Sequence, residues 1–207
     1  LGAVAAIVLG AAGAAGWLVP VAAFAGGALA IGLTYALARP GKGSGNATLL
    51  LVGIAMAAFC SALIGFLTYI ASESELQSLV FWQMGSLAQA NWSDVAAVLP
   101  LFAIGVFALL RLATPLDMLA LGERQAQHLG LDVAATRRRL VAFSALLVGA
   151  AVAFAGSISF VGLVVPHVAR LLVGPGHRWL LPVSGVLGAL LIVIADTAAR
   201  TLDPPAE

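Results

Sequence analysis

The sequence predicts an all-α fold, a polytopic transmembrane helical bundle. Hydrophobic residues make up 62% of the 207-residue chain and charged residues 9%, against about 25% charged in a typical soluble domain. Glycine is abundant, at 23 residues, and it favours close packing of membrane helices because it lets two backbones approach. This composition excludes an ordinary soluble domain, and a net charge of +1 predicts no nucleic-acid partner.

Seven apolar segments are predicted to cross the bilayer, because a helical span needs about 17–25 mainly apolar residues. The fifth and sixth segments are short, but one helix through both would overshoot the bilayer, so Gly156-Ser157 is expected to separate them. Pro166 predicts a kink or an unwound turn in the sixth. The predicted spans are 2–18, 21–38, 48–71, 95–112, 139–155, 158–173 and 179–198.

The basic residues orient these spans. Nine of the ten Lys and Arg residues fall on one side, which the positive-inside rule predicts to be cytoplasmic. These nine are Arg39, Lys42, Arg111, Arg124, Arg137, Arg138, Arg139, Arg170 and Arg178. The other side holds Glu73, Glu75, Asp94, Asp196, Asp203 and Glu207, with Arg200 as its one basic residue.

Residues 113–138 form the longest predicted cytoplasmic segment, and their pattern predicts two short helices. Thr114-Pro115-Leu116-Asp117 is typical of a helix start, with Thr114 as the N-cap. Glycine is the usual residue just beyond a helix end. The predicted boundaries are Leu121 and the breaker Gly122 for the first helix, Glu123–Leu129 for the second, Gly130 as its stop and Asp132 as the cap of the next helix.

The residues alone allow two interpretations of this segment. It is either an interfacial amphipathic hairpin that rests on lipid headgroups, with Arg137–Arg139 as anchors, or a docking element for a cytoplasmic partner. The apolar positions available to either surface are Leu116, Leu119, Ala126 and Leu129.

Residues 156–182 join two predicted spans through a short basic turn. Phe160-Val161-Gly162-Leu163 predicts a helix-packing face with a small residue, and Pro166 interrupts the helical hydrogen bonds. His167 is a candidate metal or haem ligand, but a lone histidine beside a proline is more often hydrogen-bonded to the freed carbonyl. His128 and His177 are expected to be surface residues.

Few groups in the spans could carry chemistry of their own. Asp196, His167 and Cys60 are isolated from one another in the sequence, whereas an intramembrane enzyme needs paired acids or a metal-ligand set. No phosphate-binding Gly-x-x-x-x-Gly-Lys-Ser/Thr loop occurs. The sequence therefore predicts neither an enzyme nor a cofactor or metal site.

Asp196 and Arg200 are four residues apart on one helix face, with the acid first. They are either an interfacial ion pair or functional groups, which is the usual interpretation of ionisable residues within a span.

Two strings, Leu121-Gly-Glu-Arg-Gln-Ala-Gln-His-Leu-Gly-Leu131 and Gly156–Pro182, resemble the FecCD-type permease subunits of ABC importers for iron–siderophores, haem and vitamin B12. The resemblance covers essentially the whole chain as a single transmembrane permease domain, 1–207, with 113–138 as cytoplasmic coupling helices. It implies a vitamin B12 permease-like bundle of ten spans, of which these seven would be the third to the ninth. The chain is then expected to be a fragment that lacks the first two spans and the last.

The resemblance also implies partners. The permease would be a homodimer in the lipid of the bacterial inner membrane, with two ATP-binding cassette subunits below and a periplasmic substrate-binding protein above. ATPase docking would fall to Leu121, Gly122, Glu123, Arg124, Ala126, His128, Leu129 and Gly130. Binding-protein docking would fall to Arg200, and pathway or structural roles to Phe160, Gly162, Pro166 and His167.

The implied function is transport of haem or another iron chelate, with ATP hydrolysis on the partner subunit. Phe81-Trp82-Gln83-Met84-Gly85-Ser86-Leu87 is more similar to haem permeases than to vitamin B12 permeases. A ferric-siderophore or vitamin B12 permease is the alternative within the family. An ion-coupled secondary carrier is the alternative from another class, although such carriers usually place several charges near the midplane.

Overall fold

The computed structural model describes residues 1–10, 17–38, 46–88 and 90–202, and within them the chain is all α-helical. This confirms the predicted fold class. The charged residues Arg39, Lys42, Asp203 and Glu207 lie outside the described residues. The helices are α1 Gly2–Val8, α2 Leu18–Ala38, α3 Asn46–Ile70, α4 Glu73–Met84, α5 Trp92–Arg111, α6 Ala113–Ala120, α7 Glu123–His128, α8 Val133–Ala155, α9 Val161–Val173 and α10 His177–Leu202.

Five of the described helices, α2, α3, α5, α8 and α10, are long and apolar enough to cross a membrane. They correspond to five of the seven predicted spans. The predicted sixth span, 158–173, forms the 13-residue α9, which is about 20 Å long and shorter than a bilayer core. The predicted first span, 2–18, contains α1, but residues 11–16 lie outside the described part of the chain.

The chain divides into two compact units. The first comprises Leu1–Val106 and Arg137–Ser157. Its core holds the buried Val4, Ile7 and Leu79, and α1 packs on α2, α3 and α4. A Cβ at Gly2 would collide with the Ala22 carbonyl oxygen, so this helix crossing depends on a residue without a side chain.

Small residues also set the contacts around α8 within the first unit. A Cβ at Gly149 would lie 3.1 Å from Phe24 Cδ2, and one at Gly105 would lie 2.7 Å from Leu147 Cδ2. Phe154 meets Trp17 edge to face, with ring centroids 5.6 Å apart. Close backbone approach is the usual means by which apolar membrane helices associate.

The second unit comprises Phe107–Thr136 and Ile158–Glu207. In its described residues α10 packs on α9 and α6, and α6 packs on α7. The buried side chains are small or aliphatic: Leu112, Ala113, Ala126, Val133, Thr136, Val165, Ala169 and Leu180.

Most apolar side chains of the long helices are exposed in the isolated chain. Helix α3 contributes no buried residue to the core, and Leu50, Phe59 and Phe66 are each at least 60% exposed. A water-soluble monomer rarely leaves so large an apolar surface uncovered, whereas lipid solvates it at no cost.

Candidate docking and transport sites

The predicted docking residues form a compact helix–turn–helix within the second unit. Helix α6 ends at Ala120, Gly122 (φ 109°) turns the chain, and α7 follows as the short helix Glu123–His128. Ala126 is fully buried, whereas Leu121 and Leu129 are 63% and 58% exposed. The segment therefore presents one exposed leucine before α7 and one after it, while the buried Ala126 packs α7 against the rest of the unit.

The end of α7 confirms the predicted stop at Gly130. Leu131 N–H donates to Ala126 O at 3.0 Å and Gly130 N–H donates to Gln127 O at 2.9 Å. This pair of bonds is the Schellman motif, which needs a left-handed residue, and Gly130 has φ 86°. Asp132 then caps α8 as predicted, because its Oδ1 accepts the Ala135 N–H at 2.9 Å.

One predicted helix start is wrong. The N-cap of α6 is Leu112, and Thr114 lies inside the helix. Pro115 is tolerated there because the first four N–H groups of a helix have no intrahelical partner. Helix α8 begins at Val133, directly after the predicted Asp132 cap and six residues ahead of the predicted span 139–155, and arginines are good helix formers that continue it.

His177, predicted to be a surface residue, is instead bound to Asp117. Asp117 Oδ1 accepts the His177 backbone N–H at 2.9 Å and lies 2.6 Å from His177 Nδ1. The His177 side chain is 17% exposed. These bonds, the backbone N–H first and the ring second, lower the pKa of the Asp117 carboxyl. Sequence reasoning missed the contact because its partners are 60 residues apart, and neither the helix-start pattern that ends at Asp117 nor the string that contains His177 indicates what the other one touches.

The other two histidines are exposed. His128 is the last residue of α7, as expected of a surface position. His167 follows Pro166 within α9. Within the described ranges 1–10, 17–38, 46–88 and 90–202, no cluster of three or more His, Cys, Asp or Glu side chains could hold a metal ion.

Phe160 occupies an unusual conformation at the start of α9. It has φ 68°, the one positive φ among the described non-glycine residues, and its side chain is 80% exposed. Gly162 faces open space, with nothing near an added Cβ. The small residue at the α9–α10 contact is Gly188, where a Cβ would lie 3.8 Å from Val161 Cγ1 and 3.9 Å from Val165 Cγ1.

Arg200 is paired with Asp196 on the exposed surface of α10. Arg200 Nε donates to Asp196 Oδ2 at 2.9 Å, and Nη2 donates to Oδ1 at 3.4 Å. The Arg200 side chain nevertheless remains 55% exposed. The guanidinium is thus oriented by its own helix and still open to a partner.

The aromatic string 81–87 lies at the end of α4 and beside the end of α8, both in the first unit. Ser86 N–H donates to Ala155 O at 2.9 Å. A cavity of about 570 Å³ opens here. Its lining includes Phe81, Trp82, Phe154, Ser78 and Ser86.

Comparison with known proteins places the chain in a family. The model of the FecCD transport family matches residues 1–207. The chain is 44% identical over 191 residues to the hemin transport system permease protein HmuU of Yersinia pestis, which covers 90% of this chain and 56% of that protein. It is also 44% identical over 207 residues to the cobalamin import system permease protein BtuC of Halobacterium salinarum, covering 99% of this chain and 55% of that protein.

A solved structure supports the same assignment. An inward-facing metal-chelate type ABC transporter matches with a TM-score of 0.90 and 33% sequence identity, over 98% of this chain and 64% of that one. The chain spans about half the length of the curated relatives it matches. Both of those relatives are permeases and not enzymes. With a family match along its whole length and five helices able to span a bilayer within the described ranges, the chain is a multi-pass inner-membrane protein that belongs to the FecCD transport family.

Proposed function

We propose that this chain is the permease subunit of an ATP-driven importer and that its cargo is haem or another iron chelate. The observation that carries the proposal is the family match over residues 1–207, together with the exposed helix–turn–helix at 113–130. A permease without a nucleotide-binding loop needs a separate ATPase. The uncovered Leu121 and Leu129 offer that ATPase an apolar anchor on each side of α7.

The remaining partners follow from the same proposal, that the chain is an importer permease. Two copies of the permease enclose a central pathway, two ATPase subunits dock on the α6–α7 segments, and a periplasmic substrate-binding protein docks at Arg200. Exposed apolar side chains on α3 and the other long helices face lipid, other spans or the second copy.

The haem assignment rests on the 81–87 string and on the aromatic cavity that Phe81, Trp82 and Phe154 help to line. Planar aromatic cargo stacks well on such side chains. Hemin and cobalamin relatives are equally similar, at 44% identity each, so a vitamin B12 or ferric-siderophore permease is the alternative.

The proposal is tested by uptake into proteoliposomes that contain the permease, its ATPase and its binding protein, with haem, a ferric siderophore and cobalamin offered side by side. ATP-dependent uptake of haem alone is the expected result. Uptake of cobalamin or a siderophore instead would keep the importer and overturn the haem assignment. Absence of ATP-dependent uptake of all three would overturn the proposed cargo class.

A further inference from the structure

Asp117 connects two helices that the sequence does not bring together. Its Oδ1 accepts both the backbone N–H of His177, at 2.9 Å, and the Nδ1–H of the same residue, at 2.6 Å. An ionised carboxylate can only accept hydrogen bonds, so Nδ1 carries the proton. Two bonds to one residue, one of them to the backbone, fix position and direction more tightly than a side-chain pair alone.

His177 is the first residue of α10, so Asp117 caps this helix from another element. The first turn of α10 contains no acid of its own. Pro182, inside the helix, lacks the N–H that would bond to Arg178 O and so weakens this end further. The Asp117 carboxylate satisfies an orphan N–H and places a negative charge at the positive end of the helix dipole.

The two residues of this contact (the Asp117–His177 tie) belong to elements that the proposed transport cycle uses. Asp117 lies in α6, directly before the docking residues 121–130, and α6 packs on α7 and α10. From His177 the 26-residue α10 extends about 39 Å, and Arg200 lies near its other end.

We propose that Asp117 is a positioning residue that ties the ATPase-docking helices to α10. When the ATPase moves α6 and α7, α10 then moves with them. The movement is transmitted along α10 to the end that carries Arg200. This inference rests on the proposed function, because it assigns the tie a part in transmitting the ATPase movement.

The test measures ATP hydrolysis and cargo uptake in the same proteoliposomes for wild type, Asp117→Ala and Asp117→Glu. We expect Asp117→Ala complexes to assemble and hydrolyse ATP while cargo moved per ATP falls about fivefold or more. Asp117→Glu keeps the charge and should restore part of the ratio. Assembly, hydrolysis and uptake that fall in parallel would indicate a merely structural role and overturn the proposal.

Asp132→Ala is the matched control, because the Asp132 carboxylate also caps a helix in this segment but accepts its bond from Ala135 of that same helix, three residues on. It should lower stability and leave the uptake-to-hydrolysis ratio unchanged. An equal loss of the ratio in both variants would overturn the specific role of Asp117.

A second measurement is independent of transport. Hydrogen exchange of the purified permease should show faster exchange of the backbone amides at 177–180 in Asp117→Ala than in wild type. Unchanged protection there would show that the tie is absent in solution and overturn the inference. If wild type shows no ATP-driven uptake, the proposed function fails, whereas an active wild type with an unchanged ratio in Asp117→Ala overturns the inference alone.

Discussion

Among single residues, Arg200 shows how a weak ion pair can still matter. An exposed pair at this spacing stabilises a helix by only about 0.3–0.5 kcal/mol. Its larger effect is to restrict the rotamers of a long side chain, which otherwise loses about 0.5–1.5 kcal/mol of freedom when a partner immobilises it. Asp196 therefore orients the guanidinium without hiding it.

Arg200→Gln and Asp196→Asn separate the two interpretations of this pair. If Arg200 meets the binding protein, Arg200→Gln should weaken that affinity about tenfold and flatten its salt dependence, because a rim charge has been lost. Asp196→Asn should keep affinity within a few-fold, since the guanidinium remains. Titration by calorimetry at two salt concentrations checks this. Equal behaviour of both variants would leave Arg200 as an ordinary ion-pair residue.

Asp117 should make the stability of the permease depend on pH in a defined window. Because the His177 N–H groups lower its pKa below the ordinary 3.8, its contribution is complete above that value and is lost as pH falls through the lowered pKa. The Tm difference between wild type and Asp117→Asn should therefore shrink as the pH falls below about pH 4. Thermal unfolding in detergent measures it. A constant difference down to about pH 3 would contradict the assigned cause.

At the scale of helices, α4 and α8 meet through a glycine contact. Gly156 has φ 72°, and a Cβ there would lie 2.5 Å from Trp82 O and 2.8 Å from Gly85 Cα. A side chain would therefore meet unfavourable backbone geometry and an immovable carbonyl together.

Gly156→Ala should lower stability by at least about 1–2 kcal/mol, the usual difference for left-handed backbone, and more where α4 is pushed aside. The measurement is Tm by differential scanning fluorimetry. Gly65→Ala is the matched control, since Gly65 lies inside α3 with nothing near its added Cβ and alanine is the better helix former. Equal Tm values for the two variants would show that the contact is loose.

The α6–α7 segment should lose its ATPase when its two exposed leucines become polar. Leu121→Ser/Leu129→Ser is expected to weaken co-purification at least about tenfold, because a few buried anchor residues carry most of the binding energy of an interface and these two leucines are the exposed apolar side chains that flank α7. Gln127→Ser, within α7 and outside the predicted docking set, should bind normally. An intact complex with the double variant would return the segment to the interfacial-hairpin interpretation.

What the sequence could predict at this scale depended on the range of the interaction. The stop at Gly130 and the cap at Asp132 follow from neighbouring residues, and both were predicted correctly. The predicted cap at Thr114 is wrong because the helix already starts at Ala113, so Thr114 lies inside it. The Asp117–His177 bond joins residues 60 positions apart, and no periodicity or local motif reports such a contact.

Across the whole molecule, charge is kept away from the middle of the membrane. In the described part of the chain α2 and α3 carry no charged residue, and the charges of α5, α8 and α10 lie near their ends. Ion-coupled carriers usually need intramembrane charges to bind and release protons or sodium. The distribution favours a pathway driven from outside the permease.

Uptake should therefore follow the ATPase and not an ion gradient. Proteoliposomes that lack the ATPase subunit should take up no cargo, and a protonophore should leave ATP-driven uptake of the complete complex unchanged. Radiolabelled cargo retained on filters provides the measurement. Gradient-driven uptake without the ATPase would instead identify a secondary carrier.

The shape of α7 has a consequence for how such transporters diversify. Six residues are too few for a stable isolated helix, so α7 keeps its form because Ala126 is buried and glycines turn the chain at both ends. Leu121, Arg124 and Leu129 are exposed and do not contribute to that packing. If this segment docks the ATPase as proposed, folding and choice of ATPase are encoded in different residues, and a permease can exchange one ATPase for another by surface substitutions alone, without a new fold.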